Sequence, residues 1–415
     1  MITFDLRSNV LTLNSTKYFK VFALSSLNRT FAVTYMLFAI EMKLHIFNPD
    51  HDIALAANLA NFTPPHAARR LYSDIGFLPV FWASDGDIVV VDDAEAARER
   101  VRHIKGLSTK VEFVAASELA RCMAALPEGQ LTEVEPWGWD AALCNRLHRW
   151  GVPAQLLPTA EHLADIRNMS SRAWAASCLQ PMLEEFESGM LEVPVIARSA
   201  QQVDEFIASH EHVGTVLKSP WSSSGRGVRY ISGRDALTVQ QQGWIDRVIA
   251  SQGCIMLEPY YINKVKDFAM EFRSCADGTI AYLGLSLFHT VNGAYSGSVV
   301  ASETEKVSML QHYASAEKLA AVASEVATVL QPLMGGHYVG PFGVDMMVLS
   351  DGGNGFKIHP CVELNLRRTM GHVALSAWRS DILQQRLLSI AYSGSYHLRL
   401  HSTTENLINT SLARF

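Results

Sequence analysis

The chain carries no excess of positive charge. Its 35 Lys and Arg stand against 41 Asp and Glu, a net charge of −6, and no dense basic patch interrupts it. A nucleic-acid footprint is thereby excluded. Charged residues make up only 18% of the chain against 48% apolar, which excludes a disordered protein and leaves ample material for a core. Six cysteines, at 122, 144, 178, 254, 275 and 361, are widely scattered with no C-x-x-C pair. That spacing fits neither a disulfide framework nor a cysteine zinc site, and suits reduced thiols in a cytoplasmic protein. Phe31–Ile40 (FAVTYMLFAI) is apolar but far short of the roughly 20 residues that a bilayer span requires. There is no internal repeat and no low-complexity tract. A globular chain of 415 residues holds two or three domains.

Residues 1–41 differ in character from the remainder of the chain. Lys17, Lys20 and Arg29 precede the apolar run as in a signal peptide, yet no small-residue cleavage site comes after it. Met42 opens a strand directly and is a candidate start. Three readings stay open: an extension outside the fold, a signal or anchor, and an integral part. From Met42 the pattern alternates. Strands are expected at Leu44–Phe47, Leu78–Ala83, Ile88–Val91 and Val111–Ala115. Helices are expected at Ile53–Leu59, Ala94–Ile104, Ser117–Ala125 and Trp137–Trp150. Such alternation predicts a parallel α/β sheet over residues 42–160. The loop Asn48-Pro49-Asp50-His51-Asp52 sits at the carboxyl end of the first strand, where open α/β sheets bind ligands. Its His51 reads as a base or substrate contact, or as an exposed neighbour of an Asp helix cap.

Beyond this domain, Leu163–Leu179 reads as one helix bearing Arg167 and Arg172, followed by strand Val193–Ile196, helix Ala200–Ser209 and strand Thr215–Lys218. Val216–Val228 (VLKSPWSSSGRGV) then joins the end of a buried strand to a small-residue loop. Ser222, Ser223, Ser224, Gly225 and Gly227 present unobstructed backbone N–H groups able to cradle phosphate oxygens, and Lys218 adds a point charge. Lys218 precedes the glycines, so this is no Walker loop, and the strand-like Arg229-Tyr230-Ile231 excludes a dinucleotide fingerprint. An ordinary Gly/Ser hairpin turn would have the same composition.

Downstream, Gly340–Arg368 (GPFGVDMMVLSDGGNGFKIHPCVELNLRR) reads as a hairpin of Val344–Leu349 and Phe356–Leu366. Alternation places Glu363, Asn365 and Arg367 on one face. Folding at Gly353 sets Asp345 opposite Cys361 and one diagonal from Glu363, with Pro360 able to bulge the strand and shift that register. Two carboxylates and an amide oxygen suit Mg²⁺; a solvent-facing ion pair has the same pattern. Further expectations are a strand Ala281–His289, a turn-rich loop His289–Gly297, long helices at Ser308–Val329 and Val373–Tyr392, and a tail without a signature.

Lys218 with its loop, a strand ending Glu258-Pro259-Tyr260-Tyr261, then Asp345, then Glu363-x-Asn365-x-Arg367, in that order, resembles the ATP-grasp superfamily. The similarity is to ligases such as biotin carboxylase and D-alanine–D-alanine ligase, and runs from about Arg167 to Ala377. It implies an α/β chain with a Rossmann-like N-terminal domain (42–160) and a two-subdomain ATP-grasp fold (161–395). The lid would occupy about 190–255, the metal-binding body about 256–395, and a tail 396–415. It implies ATP as ligand, held by Arg172, Lys218 and the Ser222–Gly227 loop. Glu258, Tyr260 and Tyr261 would lie at the adenine, and Asp267 at the ribose, where the family usually has Glu. Two Mg²⁺ ions would sit on Asp345, Glu363 and Asn365, and Lys218 and Arg367 would be catalytic. The implied reaction is ligation through an acyl phosphate, with small-molecule or peptide carboxylate and amine substrates; a small-molecule kinase and a non-catalytic ATP-binding protein are the alternatives. The sequence is compatible with a homo-oligomer and names no substrate.

Overall fold

A computed structural model describes residues 2–5, 10–13, 41–104, 107, 109–185, 191–222, 227–232, 236–291, 294–378 and 386–402. Strands β1 (Ile2–Asp5) and β2 (Val10–Leu13) pair as an antiparallel hairpin. The apolar run Phe31–Ile40 lies outside the described residues.

The first domain is built as the alternation predicts. Strands β3 (Met42–Ile46), β4 (Ile88–Val91), β5 (Glu112–Ala115) and β6 (Leu131–Pro136) form a parallel sheet in the order β5-β4-β3-β6. Helices α1 (His51–Ala57), α2 (His66–Ile75), α3 (Ala94–Arg102), α4 (Leu119–Ala125) and α5 (Ala141–Arg149) connect and cover it. Every residue of β4 (IVVV) is buried, as a strand covered on both faces requires. The expected strand Leu78–Ala83 is instead a 3₁₀ turn over Leu78–Phe81. Pro79 has no N–H to give a ladder and its fixed φ suits the first turn of a helix. Strand β6 (LTEVEP) escapes sequence reading because Glu133 and Glu135 make it look like a polar loop; both lie within ion-pair distance of Lys43 on β3.

The expected helix Leu163–Leu179 is two, α6 (Ala160–Met169) and α7 (Arg172–Glu185). Ser170 and Ser171 bond back to the Ile166 and Asn168 carbonyls, so their hydroxyls compete with the continuing helix at the break. Next come β7 (Val195–Ala197), α8 (Ala200–Ser209), β8 (Thr215–Lys218), β9 (Val228–Ile231), α9 (Val239–Gln252) and β10 (Ile255–Pro259). The four strands form an antiparallel sheet, β7-β10-β8-β9. Its core of Val203, Phe206, Leu217, Ile231, Ile245 and Leu257 is its own.

The remainder supplies β11 (Lys264–Ser274), β12 (Ile280–Ser286), β13 (Phe288–Val291), β14 (Ala294–Val300), α10 (Glu303–Leu310), α11 (Ala316–Met334), β15 (Gly340–Ser350), β16 (Phe356–Asn365), α12 (Met370–Ala377), β17 (Arg386–Tyr392) and β18 (Tyr396–Ser402). They make two antiparallel sheets, β12-β11-β15-β16 and β13-β14-β17-β18. Sequence reading joined elements that caps and turns separate. Ser315 caps α11 through the Lys318 N–H, which splits the expected helix Ser308–Val329. Strands β12 and β13 part at Leu287, where one strand was expected. The expected helix Val373–Tyr392 stops at Ala377, and Arg386–Tyr392 is a strand paired with β14. Tyr396–Ser402, expected as tail, completes that sheet. Phe47, Val89, Trp137, Val300, Val373 and Leu388 share one core, so the parallel sheet and the C-terminal elements are packed as a unit. No helix among the described residues is long and apolar enough to cross a membrane.

Candidate functional site

Strand β8 is buried along its whole length and delivers Lys218 to its end. Lys218 Nζ lies 2.6 Å from Glu258 Oε2 on β10, and both side chains are about one-tenth exposed (10% and 11%). The register explains the pair, since Lys218 faces Met256 and Val216 faces Glu258, a diagonal on one sheet face. After Lys218 the chain turns. Ser219 N donates to the Gly227 carbonyl at 2.8 Å, closing the root of the loop. A Cβ on Gly227 would stand 2.1 Å from Ser219 Oγ and 2.2 Å from Ser222 Oγ, so only glycine fits this approach. Ser223, Ser224 and Gly225 lie outside the described residues.

The α6–α7 break is what aims Arg172. It opens α7, almost buried, and its backbone N–H donates to the Pro220 carbonyl at 3.0 Å. Arg172 Nη1 donates to the Ser219 carbonyl (2.6 Å) and to Ser222 Oγ (2.7 Å), while Nη2 meets Glu363 Oε1 at 2.6 Å. One guanidinium thus ties the loop root to the hairpin. Arg167 serves packing instead: it lies 3.8 Å over the Trp221 ring and donates to the Leu55 carbonyl.

The β15–β16 hairpin begins with the register that folding at Gly353 requires, through Met347↔His359. It then shifts. Asp345 faces Glu363 directly rather than Cys361, because Pro360, Cys361 and Val362 stand opposite the single residue Met346. Pro360 gives the ladder no N–H, and a shift of two residues preserves the face of every side chain. Burial, then the facing Glu363 carboxylate and then Glu271, push the Asp345 carboxyl well above the usual range, against the pull of Arg367 and Asn365. Asn365 Nδ2 donates to Asp345 Oδ2 (3.2 Å), and its Oδ1 accepts from Arg367 Nη2 (3.0 Å). Among the described residues no group of three or more His, Cys, Asp or Glu has metal-ligand geometry. The candidate set is therefore the carboxylate pair with a neighbouring amide.

Arg367 is held from the first domain. Its Nε donates to both oxygens of Asp52, at 2.9 and 3.1 Å. Burial pushes the Asp52 carboxyl up, but Arg367, His51 and Arg172 together hold it below the usual range. The capping reading of the Asn48–Asp52 loop is incorrect: Asp50 makes no side-chain cap bond, and His51 is buried with Nδ1 3.5 Å from Asp140 Oδ2. Against the sheet, Glu271 is buried, accepting from Thr369 Oγ1 (2.8 Å) and lying 2.9 Å from His372 Nδ1. Arg273 approaches Glu133 and Glu135, and Arg368 turns away to Glu135.

The other expected residues are more dispersed. Tyr260 is half-exposed and packs edge-on against Tyr230. Tyr261 accepts from the Glu192 N–H and packs edge-on against His359. Asp267 is bonded to Lys264 Nζ at 2.8 Å. Sequence reasoning missed Asp52 and His359, while strand parity sets Glu271 and Arg273 on the face of Asp267. Burial, then the Lys218 ammonium, press the His359 imidazole down to about 3, so it is neutral. Only strand parity could have placed His359 on this face; nothing local marks Asp52.

Among solved structures the chain is similar to N5-carboxyaminoimidazole ribonucleotide synthetase from Thermus thermophilus, at 13% identity and TM-score 0.46 over 90% of this chain and 97% of that one. It is also similar to a biotin carboxylase complex from Campylobacter jejuni, at 13% identity and TM-score 0.46 over 85% and 76%. A third is an Archaeoglobus fulgidus protein described as a putative ATP-grasp superfamily protein, at 11% identity and TM-score 0.44 over 88% and 100%. No family model matches the chain, and no curated protein does. With likenesses this distant, the functional reading rests on the residues of the chain itself.

Proposed function

We propose that the chain is an ATP- and Mg²⁺-dependent ligase. The observation that carries this is the direct opposition of Asp345 and Glu363 beneath Arg172, itself bonded to the root of the Ser/Gly loop. Facing carboxylates repel, and burial together with that repulsion raises the Asp345 carboxyl. A divalent cation would remove it, so the donor set fits Mg²⁺. Asp345 and Glu363 would hold the ion, joined by Asn365 once its oxygen leaves Arg367. Bound there, Mg²⁺ neutralises charge on the nucleotide phosphates.

The cations of the cleft are already paired with carboxylates, Lys218 with Glu258 and Arg172 with Glu363. In this reading each exchanges a carboxylate for phosphate oxygens as nucleotide enters. The backbone around Glu258–Tyr261 reads the adenine, and Asp267 is the ribose candidate. A substrate carboxylate oxygen attacks the γ-phosphorus, forming an acyl phosphate and releasing ADP. An amine then attacks the acyl carbon, phosphate departs, and the nitrogen loses a proton. Positioning and charge neutralisation do most of this work. Arg367, aimed by Asp52, stabilises charge developing on the transferred group. The loop excludes water from the acyl phosphate.

The test is ADP release by the full chain with ATP, Mg²⁺ and panels of carboxylates and amines, with Lys218→Ala as control. Release that requires both substrates, frees phosphate and is lost in the variant supports a ligase. Phosphate retained on an alcohol would make it a kinase. Absence of nucleotide binding in a millimolar titration defeats the reading.

A further inference from the structure

A larger recess lies away from the cleft. The recess beside Asp52, Ser222 and Glu363 encloses about 10 Å³, whereas a cavity of about 430 Å³ opens in the first domain. This cavity lies where the carboxyl ends of β3 and β4 meet α2, and Asp50, Tyr72, Asp92 and Arg146 line it. Open α/β sheets bind ligands at this end of the strands.

Its polar groups are unusually bare. Twelve buried side-chain nitrogen and oxygen atoms among the described residues have no hydrogen-bond partner in the protein, and four of them belong to this wall: Asp50 Oδ2, Tyr72 Oη, and Arg146 Nε and Nη2. Asp50 is only 4% exposed. Buried polar groups are normally satisfied, and a cluster that is not marks a place for something else to bond. Asp50 and Arg146 do not satisfy one another, since Asp50 Oδ2 and Arg146 Nη2 stand 3.9 Å apart, beyond a hydrogen bond. They present an acceptor and a donor side by side. Arg69 adds positive charge at the exposed rim, and Phe47 and Pro64 give an apolar wall.

We infer that this cavity binds the head group of a free α-amino acid, its ammonium on Asp50 and Tyr72 and its carboxylate on Arg146. The two groups of such a head are separated by one carbon, which matches a carboxylate and a guanidinium set next to each other. Arg69, Arg70 and Arg146 would also attract a phosphate, but the Asp50 carboxylate beside Arg146 calls for a donor, which a phosphate does not supply and an ammonium does. Burial, more than any neighbour, raises the Asp50 carboxyl, and an ammonium there restores its charge. The cavity shares no lining residue with the recess beside Asp52 and Glu363, and the site does not rest on the nucleotide reading.

The experiment is calorimetric titration of the full chain, without nucleotide, with each standard L-amino acid, and with acetate and methylamine as single-headed probes. At least one amino acid binds, and both single-headed probes bind at least about tenfold more weakly. Asp50→Asn and Arg146→Gln each weaken binding by about tenfold or more, and Tyr72→Phe, which removes one oxygen and keeps the ring, by about threefold. Lys218→Ala leaves it unchanged. The inference is overturned if no amino acid binds at millimolar concentration, if acetate binds equally well, or if Tyr72→Phe and Arg146→Gln bind like wild type. Should Arg146→Gln fail to fold by circular dichroism, the Tyr72→Phe and acetate results decide.

Discussion

Replacing Glu363 by Gln should tighten nucleotide binding when Mg²⁺ is absent. Glu363 holds Arg172 at 2.6 Å, and under the proposed function phosphate displaces that carboxylate to reach the guanidinium. A charge-assisted hydrogen bond contributes roughly 1.5–3 kcal/mol. The Glu363 side chain is 27% exposed, so solvent screening brings the figure toward about 1 kcal/mol. Gln keeps the shape and releases most of this, and it also removes a negative charge facing the phosphates. The expected gain is about fivefold in affinity in EDTA. With Mg²⁺ the sign reverses, because the variant lacks one of two facing carboxylates: wild type gains affinity from the ion and Glu363→Gln gains little. Fluorescence anisotropy of a labelled ATP, with EDTA and with Mg²⁺, gives all four constants. Equal or weaker binding by the variant in EDTA, together with an undiminished Mg²⁺ effect, would refute the exchange of partners at Arg172.

Gly227→Ala forces the loop root apart by placing a methyl against Ser219 and Ser222, and is expected to lower nucleotide affinity about tenfold with circular dichroism unchanged; wild-type affinity would show that the root gives way freely. Asp52→Asn keeps shape but loses the charge that aims Arg367, and turnover should fall about tenfold while nucleotide affinity moves by less than about threefold. A matching loss of both would make Asp52 a structural residue. Asp345 has its carboxyl raised in the folded state, so the fold binds that proton more tightly than the unfolded chain does. It therefore loses stability as pH climbs from the ordinary carboxylate range, about 4, to the raised folded value, and the full penalty stands above it. Without Mg²⁺, Asp345→Asn should unfold at a higher temperature than wild type in mild alkali, with the difference vanishing in acid. An unchanged melting temperature at both pH values would remove the argument that burial and the facing Glu363 penalise the ionised Asp345.

How much of the molecule was legible in its sequence depends on the range of the forces involved. The strand before Lys218, the hairpin turning at Gly353 and the shared face of Asp345, Glu363, Asn365 and Arg367 depend on period and turn residues a few positions apart. Parity survived even where register did not, because the bulge at Pro360 adds two residues rather than one. Helix ends fared worse. Ser170, Ser171 and Ser315 interrupt long helical patterns through hydroxyl bonds that hydrophobic periodicity does not weigh. Contacts across the fold were invisible. Asp52 and Arg367 are 315 positions apart, and a Pro-Asp-His-Asp loop is an ordinary helix entrance until the far partner is in place.

Consecutive residues lock the hairpin end to the parallel sheet from two directions. Arg367 pairs with Asp52 in the first turn of α1, and Arg368 pairs with Glu135 on β6, donates its backbone N–H to the Trp137 carbonyl and lies 4.4 Å over Trp82. The shared core of Phe47, Trp137, Val373 and Leu388 reinforces them. Parting these units would expose that core and strand the buried Arg368 and the nearly buried Arg367, whereas the β7-β10-β8-β9 sheet keeps a separate core and is tied to the rest through the Arg172 bonds, the Arg167–Trp221 stack and the packing of Tyr261. The cheaper motion is therefore movement of that sheet, which carries Lys218, Glu258 and the loop root together. Hydrogen exchange should show nucleotide-dependent protection in β8 and β10 and in α7 near Arg172, with β3, β4 and β6 unchanged. Protection appearing chiefly in the parallel sheet would place the hinge between the first domain and the body and contradict the energetic ordering, since opening of a region tracks the burial it must undo.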